Sequence, residues 1–577
     1  MIREARPREL THGHNSAARR LAIATAILGL PNVCAAARPC DGTIVTAIEI
    51  RPVAPSFVNF PARSRPFIRA AGVFHTTTKA STITRLLLLR VGASCSERAR
   101  AESERILRLQ PFLAAATVRT VPDSSGGTRI EIETVDEIPT IVGVAIHSAR
   151  PSRLLLGNGN AAGEGILFSA QAERGFFYRS GVALHMIDYA AFGGPYRLEL
   201  VTERAPLGGT FNVALGHAFL TDLQRTAWHV GYADLNSYAP VVRGEGADLS
   251  LQTERWLWDA GGVRRLGIGR LRMFVGGLMT HERVAPVREL VTVTDTGLVA
   301  DTSSFARRLV TYSNVRANAV VGVRALEFTQ ARGFDALAGV QDVATGVQLG
   351  ALLGRGIPRL GGSDDDVYLS TDFYVGLGSA TSFVALRATG EAREPRRMGR
   401  WDSLIGSGRV AWYLKSSPGN LFIFDGEFSG GARARVPFQL LLGDAEGGVR
   451  GYGLSHAAGA VRAVARIEER WLVGRPKGHL ALGIASFADG GRVWAGDAPF
   501  GMDSKIRVGI GAGLLAAIPA ESKRLWRLDF SAPVSPDRYA RRQLRLSVVQ
   551  TIGFWREPRD IARARAGAAP STIFTWP

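Results

Sequence analysis

From about residue 140 to the mid-550s the chain alternates: one position is bulky and apolar, the next small, polar or charged. In "RQLRLSVVQTIGFW" (Arg542–Trp555) the even positions are Leu544, Leu546, Val548, Gln550, Ile552 and Phe554, facing Arg545, Ser547, Val549, Thr551 and Gly553. "KIRVGIGAGLLAAI" (Lys505–Ile518) sets Ile506, Val508, Ile510, Ala512 and Leu514 against Arg507, Gly509, Gly511 and Gly513. "WRLDF" (Trp526–Phe530) alternates likewise, as does "HLALGIASFADGG" (His479–Gly491), with Leu480, Leu482 and Ile484 against Ala481, Gly483 and Ala485. A period of two is that of a β-strand whose faces meet different surroundings. Soluble sheets alternate too, but here the pattern runs for about 400 residues without a helical period. It predicts a mainly β fold, a transmembrane antiparallel β-barrel over 141–556, in which every backbone group is paired between strands and no edge stays open. The span accommodates about sixteen strands of about ten residues plus loops. Phe554 and Trp555, at a strand end, are expected in the aromatic girdle.

Residues 41–137 follow another rhythm and predict a small α/β domain of order β-α-α-β-β. "GTIVTAIEI" (Gly42–Ile50) is rich in strand formers. "TTKASTITRLLLL" (Thr77–Leu89) reads as a helix with Thr77 or Thr78 as cap and Gly92 past its end. "SERARAESERILRL" (Ser96–Leu109) reads as a second helix, capped by Ser96 and stopped by Pro111. "AATVRTV" (Ala115–Val121) and "TRIEIETV" (Thr128–Val135) form a hairpin across "PDSSGG", with Ile130 and Ile132 opposite in face to Glu131 and Glu133.

The first 37 residues have the form of an export signal. Arg19 and Arg20 precede the apolar run Leu21–Leu30, and the small residues Cys34–Ala37 follow. That run is too short to cross a bilayer as a helix, which takes about 20 apolar residues. Residues 557–577 extend past the last predicted strand as a tail.

Composition sharpens this picture. The chain has 577 residues, 66 of them glycine, and a mean hydropathy of +0.05. So many glycines suit strands with small inward residues better than helices, where each interior glycine costs about 1 kcal/mol relative to alanine. The net charge of +19 is spread along the chain and forms no nucleic-acid-binding arm. Of three cysteines, Cys34 lies at the cleavage region; Cys40 and Cys95 remain, and in an oxidising compartment they can pair as a disulfide or stay free thiols. No Cys/His spacing points to a metal, and no cofactor motif is present. "GIGAG" (Gly509–Gly513) resembles a nucleotide loop superficially, but it lies inside an alternating strand with no helix after it. No G-x-S-x-G occurs and the ten histidines are scattered, so no catalytic residue is expected.

Late in the chain stands "GGVRGYG" (Gly447–Gly453), one arginine and one tyrosine among glycines. It is followed by "RIEERWL", with Glu468 and Arg470, and by "FADGG", with Phe487, Asp489 and Gly490. Val449, Arg450, Gly451 and Tyr452, then an acidic-x-Arg pair, then an F-x-D-G-type motif, in that order ahead of a barrel end, resemble the Omp85 superfamily, of the BamA/TamA type. The resemblance implies one or more periplasmic POTRA domains of β-α-α-β-β order, here a single one at 41–137, followed by a sixteen-strand outer-membrane barrel. It implies that Arg450 sits at the tip of a long loop folded back into the lumen. Strand parity leads independently to the same partners. With even residues outward on the strand from His479, Phe487 and Asp489 point inward; with Ala463, Ala465 and Ile467 outward, Glu468 and Arg470 do too. Asp489 is then an inward carboxylate in need of a cation, and Arg450 can supply a bidentate charge-assisted pair.

The resemblance further implies an assembly, insertion or translocation factor rather than an enzyme. Its POTRA unit binds client outer-membrane or secreted polypeptides by strand addition, and the barrel admits them into or across the outer membrane. The expected partners are the lipid bilayer, clients and accessory subunits, not nucleic acid. A passive outer-membrane pore is the competing expectation, since inward Arg462, Arg466, Arg470 and Arg507 would favour anions.

Overall fold

Each alternating run becomes one strand of an antiparallel sheet that closes on itself. The computed structural model describes residues 40–55, 75–147, 150–173, 180–206, 208–244, 249–267, 269–294, 297–301, 311–363, 365–396, 399–435, 438–443, 447–452, 457–535, 540–550, 560–561 and 565. The expected signal segment, Phe554, Trp555 and most of the tail lie outside these residues.

The small domain is a three-stranded sheet covered by two helices. Strand β1 (Val45–Val53) runs parallel to β3 (Thr128–Asp136), and β2 (Leu113–Pro122) pairs antiparallel with β3 on its other side. Helices α1 (Ala80–Arg85) and α2 (Glu97–Leu109) lie between β1 and β2 in sequence. Ile130 and Ile132 of the central strand are buried with Ile83, Leu86, Ile106, Leu107 and Leu113, which form one core. Two expectations change. Helix α1 stops at Arg85 rather than Leu89. Leu86, Leu87 and Leu89 are nonetheless all buried. Thr78 is not a helix cap; its N–H and Oγ1 both donate to the buried carboxylate of Asp136, at 2.9 and 2.6 Å. Cys40 and Cys95 are joined by a disulfide.

The barrel begins at Thr140–His147 and ends at Gln543–Gln550, and the ring closes between these two strands. Among the described residues it contains twenty-one strands, one of them the short Leu298–Asp301, rather than about sixteen. The difference arises mainly near the start. Six strands, from Thr140–His147 to Gly208–His217, are only 8 to 12 residues long and follow one another through short connections. The longest strands, Arg272–Val293 and Tyr312–Arg332, have 22 and 21 residues.

Parity holds where the sequence is most regular. Ile510, Leu514, Leu528, Phe530, Leu544 and Leu546 are exposed apolar residues on the outer face, while Arg507, Arg527 and Asp529, of opposite parity, are buried inside. A sheet with an apolar exterior and charged interior is the arrangement that lipid outside and water inside select.

The small domain docks on the strand turns at one mouth, here called the proximal end. Arg108 of α2 grips Asp342 with Nε and Nη2, at 2.9 and 2.6 Å. Asn160 donates to Thr78 Oγ1 at 2.8 Å. Glu137, just after β3, accepts Ser522 Oγ at 2.7 Å and the Lys523 N–H at 2.9 Å. Burial raises the Glu137 carboxyl above its ordinary range, against the opposing pull of Arg524 and Lys523.

Candidate functional site

Between the strands Asn420–Ala432 and Val461–Gly474 the chain leaves the distal rim, forms a short ladder of Leu440–Leu441 with Ala458–Gly459, and turns into the lumen. Its tip is Gly447–Tyr452. Gly451 adopts φ +90°, a left-handed conformation open to glycine at little cost. At Gly448 a Cβ would overlap the Leu442 carbonyl. Glycine therefore lets the tip fold tightly enough to enter.

Arg450 is the anchor. Its Nε donates to Asp489 Oδ2 and its Nη2 to Asp489 Oδ1, both at 2.6 Å, and its own N–H also reaches Oδ2 at 3.2 Å. Nη1 donates to Glu468 Oε2 at 3.3 Å. The guanidinium lies 3.4 Å over the Phe487 ring. Withdrawing a cation from water is costly, and a bidentate carboxylate, a second carboxylate and an aromatic face together offset that cost. Tyr452 is fully buried, and its hydroxyl donates to the carbonyls of Ser535 at 2.8 Å and Val508 at 3.2 Å. Val449, also fully buried, packs in a cluster with Leu442 and Val464.

The facing strand is cut away to receive this tip. At Gly509 a Cβ would overlap the Arg450 carbonyl, at Gly511 the Phe487 ring, and at Gly513 the Asp529 carboxylate. The glycines of "GIGAG" are thus the floor of a slot. The structure brings together Val449, Arg450, Tyr452, Phe487, Asp489, Glu468 and Arg470. It does not bring in Gly490. That residue has the parity of Leu482 and Ile484, and a Cβ there would meet nothing within 4 Å, so it belongs to the outer face rather than the lumen.

Glu468 is a hub. Besides Arg450 it binds Arg527 through Nη1 at 2.7 Å and Nη2 at 2.9 Å, and Arg470 Nε at 2.6 Å. Arg527 also donates to Asp529 Oδ2 through Nε at 3.1 Å, and neither residue is among the expected partners, although their parity opposite Trp526, Leu528 and Phe530 marks them as inward. Arg470 reaches further: its Nη1 donates to the carbonyls of Phe334 and Asp335, at 3.1 and 3.2 Å. These belong to the turn between Tyr312–Arg332 and Val340–Gly356, which folds into the barrel from the proximal end. The Phe334 ring stacks on Tyr413 at 5.0 Å, and Tyr413 OH donates to Asp335 Oδ1 at 2.9 Å. Nothing in the period-two pattern distinguishes this turn from an ordinary hairpin. Two inward segments, one from each end, therefore meet through Glu468 and Arg470.

The remaining inward arginines are also engaged. Arg462 binds Glu427 at 2.7 Å and Arg466 binds Asp425 at 3.1 Å, with Arg466 also holding the Gly447 and Gly448 carbonyls. Arg507 lies 5.4 Å from the Tyr452 ring centre.

Fold and site together define a transmembrane antiparallel β-barrel, its lumen entered by an arginine-tipped loop and one mouth covered by a small disulfide-linked α/β domain. The chain is similar to three solved structures. BamA from Haemophilus ducreyi lacking POTRA domains 1–3 is 12% identical over 88% of this chain and 84% of its own, with a TM-score of 0.37. CdiB from Acinetobacter baumannii is 9% identical over 87% and 72%, with a TM-score of 0.40. CdiB from Escherichia coli is 12% identical over 92% and 94%, with a TM-score of 0.36. No family model matches the chain, and no curated protein matches it.

Proposed function

We propose that the chain is an outer-membrane insertion or translocation factor of the Omp85 type, with residues 41–137 acting as a periplasmic POTRA domain. The observation that carries this reading is the seating of Arg450 on Asp489 and Glu468 at the floor of a glycine-lined slot. A static pore gains nothing from a loop that fills its lumen. A barrel that must stay shut until a polypeptide arrives gains a closure anchored by polar contacts that can be exchanged one at a time.

The small domain supplies the docking side of the mechanism. Its sheet leaves β1 and β2 as outer strands, and an extended client can add to such an edge through main-chain hydrogen bonds. At the barrel, the ring closes between its first strand and its last. That junction is where a client strand would enter. The partners are the lipid bilayer, unfolded outer-membrane or secreted clients, and accessory subunits.

Depleting the protein and comparing the outer-membrane proteome tests this. Loss of particular barrels or secreted proteins is the expected result. An unchanged proteome with altered permeability to small solutes would overturn it in favour of the passive channel.

A further inference from the structure

The chain continues beyond its last strand, Gln543–Gln550, and parts of that continuation lie inside the distal half of the barrel. Asp560 accepts Arg462 Nη1 at 2.6 Å and Nη2 at 3.3 Å. Ile561, fully buried, packs in one cluster with Ile405, Phe438 and Leu440. Arg565 lies 3.7 Å from Glu391 Oε2 and donates to Ser370 Oγ at 3.2 Å, while its carbonyl accepts Arg255 Nη2 at 2.9 Å. These contacts span the lumen from the wall strand Val461–Gly474 to the strands Asp366–Gly378 and Ser382–Pro395.

The receiving surface has contacts of its own besides those to the occupant. Arg462 is fully buried and also donates to Glu427 at 2.7 Å and to the Leu441 carbonyl at 2.8 Å. Its Nη1 edge presents a cation to an incoming carboxylate, a geometry that favours strong charge-assisted pairing. The apolar slot beside it is made by Ile405 of the wall and by Phe438 and Leu440 at the stem of the inserted loop. Glu391, also buried, supplies the carboxylate at the far end. The three features read an acidic residue, an aliphatic neighbour, and a basic residue four positions after the aliphatic one.

We propose that the distal lumen is a binding site for a helical peptide of that acidic–aliphatic–basic pattern, occupied here by the chain's own Asp560, Ile561 and Arg565, in which the Arg565 N–H donates to the Ile561 carbonyl at 3.0 Å. Because Phe438 and Leu440 belong to the loop stem, the occupant also braces the loop that carries Arg450. The inference concerns what fills the lumen and stands whether the barrel admits polypeptides or solutes. A tethered segment meets its site at millimolar effective concentration, so a free peptide competes poorly until the tail is removed or weakened.

The test uses the purified full chain, a variant ending at residue 556, and a full-length Asp560→Ala/Arg565→Ala variant, each in detergent. The probe is a fluorescent peptide of residues 557–568, read by anisotropy, with heat-modifiable electrophoretic migration reporting the folded barrel. Both variants should bind the peptide at least tenfold more tightly than the full chain, and the peptide carrying the two alanines should lose that binding. Equal binding to full chain and variants, or undiminished binding of the substituted peptide, would overturn the proposal. So would absence of binding to variants that migrate as folded.

Discussion

Arg450 and Asp489 lie 39 residues apart in sequence and face each other through two hydrogen bonds of 2.6 Å. Removing either partner leaves the other charge buried, which typically costs about 3–5 kcal/mol. Arg450→Ala and Asp489→Ala should each release the loop tip, seen as protease cleavage near Gly447–Tyr452 in the detergent-solubilised protein. The double variant should cost less than the two added together, since no orphaned charge remains. Arg450→Lys should rescue only in part, because an ammonium offers no planar fork. Strictly additive losses would remove the pair from its anchoring role.

Gly509 tests the same seating without touching a charge. A side chain there would occupy the place of the Arg450 carbonyl. Gly509→Val should leave the strand paired, since its neighbours already favour β-structure, yet expel the loop. Channel recordings in planar bilayers should then show a several-fold rise in open conductance relative to the native chain. Unchanged conductance with unchanged protease resistance would mean that the slot is not needed to seat the tip.

Leu514 reports on the outer face. It is 60% exposed on the strand Arg507–Ala517, and in water such exposure would carry no penalty for arginine. In lipid, Leu514→Arg should destabilise the barrel by about 2–4 kcal/mol if it lies near the midplane. Denaturant titration of the protein folded into phospholipid vesicles measures this directly, and a cost near zero would place that face in water.

Docking of the small domain should depend on pH through Lys523, which sits in the proximal turn before Arg524–Pro533. Burial pushes its ammonium down to about 8, against the attraction of Glu137 and Asp342. A free lysine titrates near about 10.4. The docked form therefore binds the proton more weakly, and docking strengthens as pH rises from about 8 toward about 10.4, by about 3 kcal/mol in all. Glu137 has the opposite sign: its raised carboxyl favours docking at low pH and loses that share as pH rises through its docked value. Hydrogen exchange of the β3 amides at pH 7.5 and 9.5 should show the alkaline gain, and Lys523→Met should abolish it.

The Cys40–Cys95 disulfide closes a segment with a sequence separation of 55. A loop of that length constrains the unfolded chain enough to contribute about 4 kcal/mol in the chain-entropy picture. Replacing both cysteines with serine should lower the unfolding midpoint of the small domain. The barrel's heat-modifiable migration should not change, since the bond lies wholly outside it.

The wall of the barrel was legible because lipid and water impose a period of two that any long strand must display. Asp489, Phe487, Glu468 and Arg470 were legible as inward residues for the same reason, and Gly490 could have been excluded by that rule applied one position further. The number of strands was less accessible, since short strands joined by tight turns resemble longer ones with loops. The extent of α1 was hidden by four successive leucines, whose apolar character is compatible with helix or extended chain alike.

By itself, then, the sequence determined which residues turn toward lipid and which toward the lumen, because that choice is local and repeats every second position. It also marked Asp489 as an inward carboxylate in need of a cation, which Arg450 could supply. Only the tertiary structure decided which carboxylates share it, that a proximal turn rises to meet Arg470, and that Asp560 reaches Arg462 from beyond the last strand. Those pairings join residues tens of positions to more than a hundred apart, and only segments folded into the closed ring come within hydrogen-bond reach of its wall.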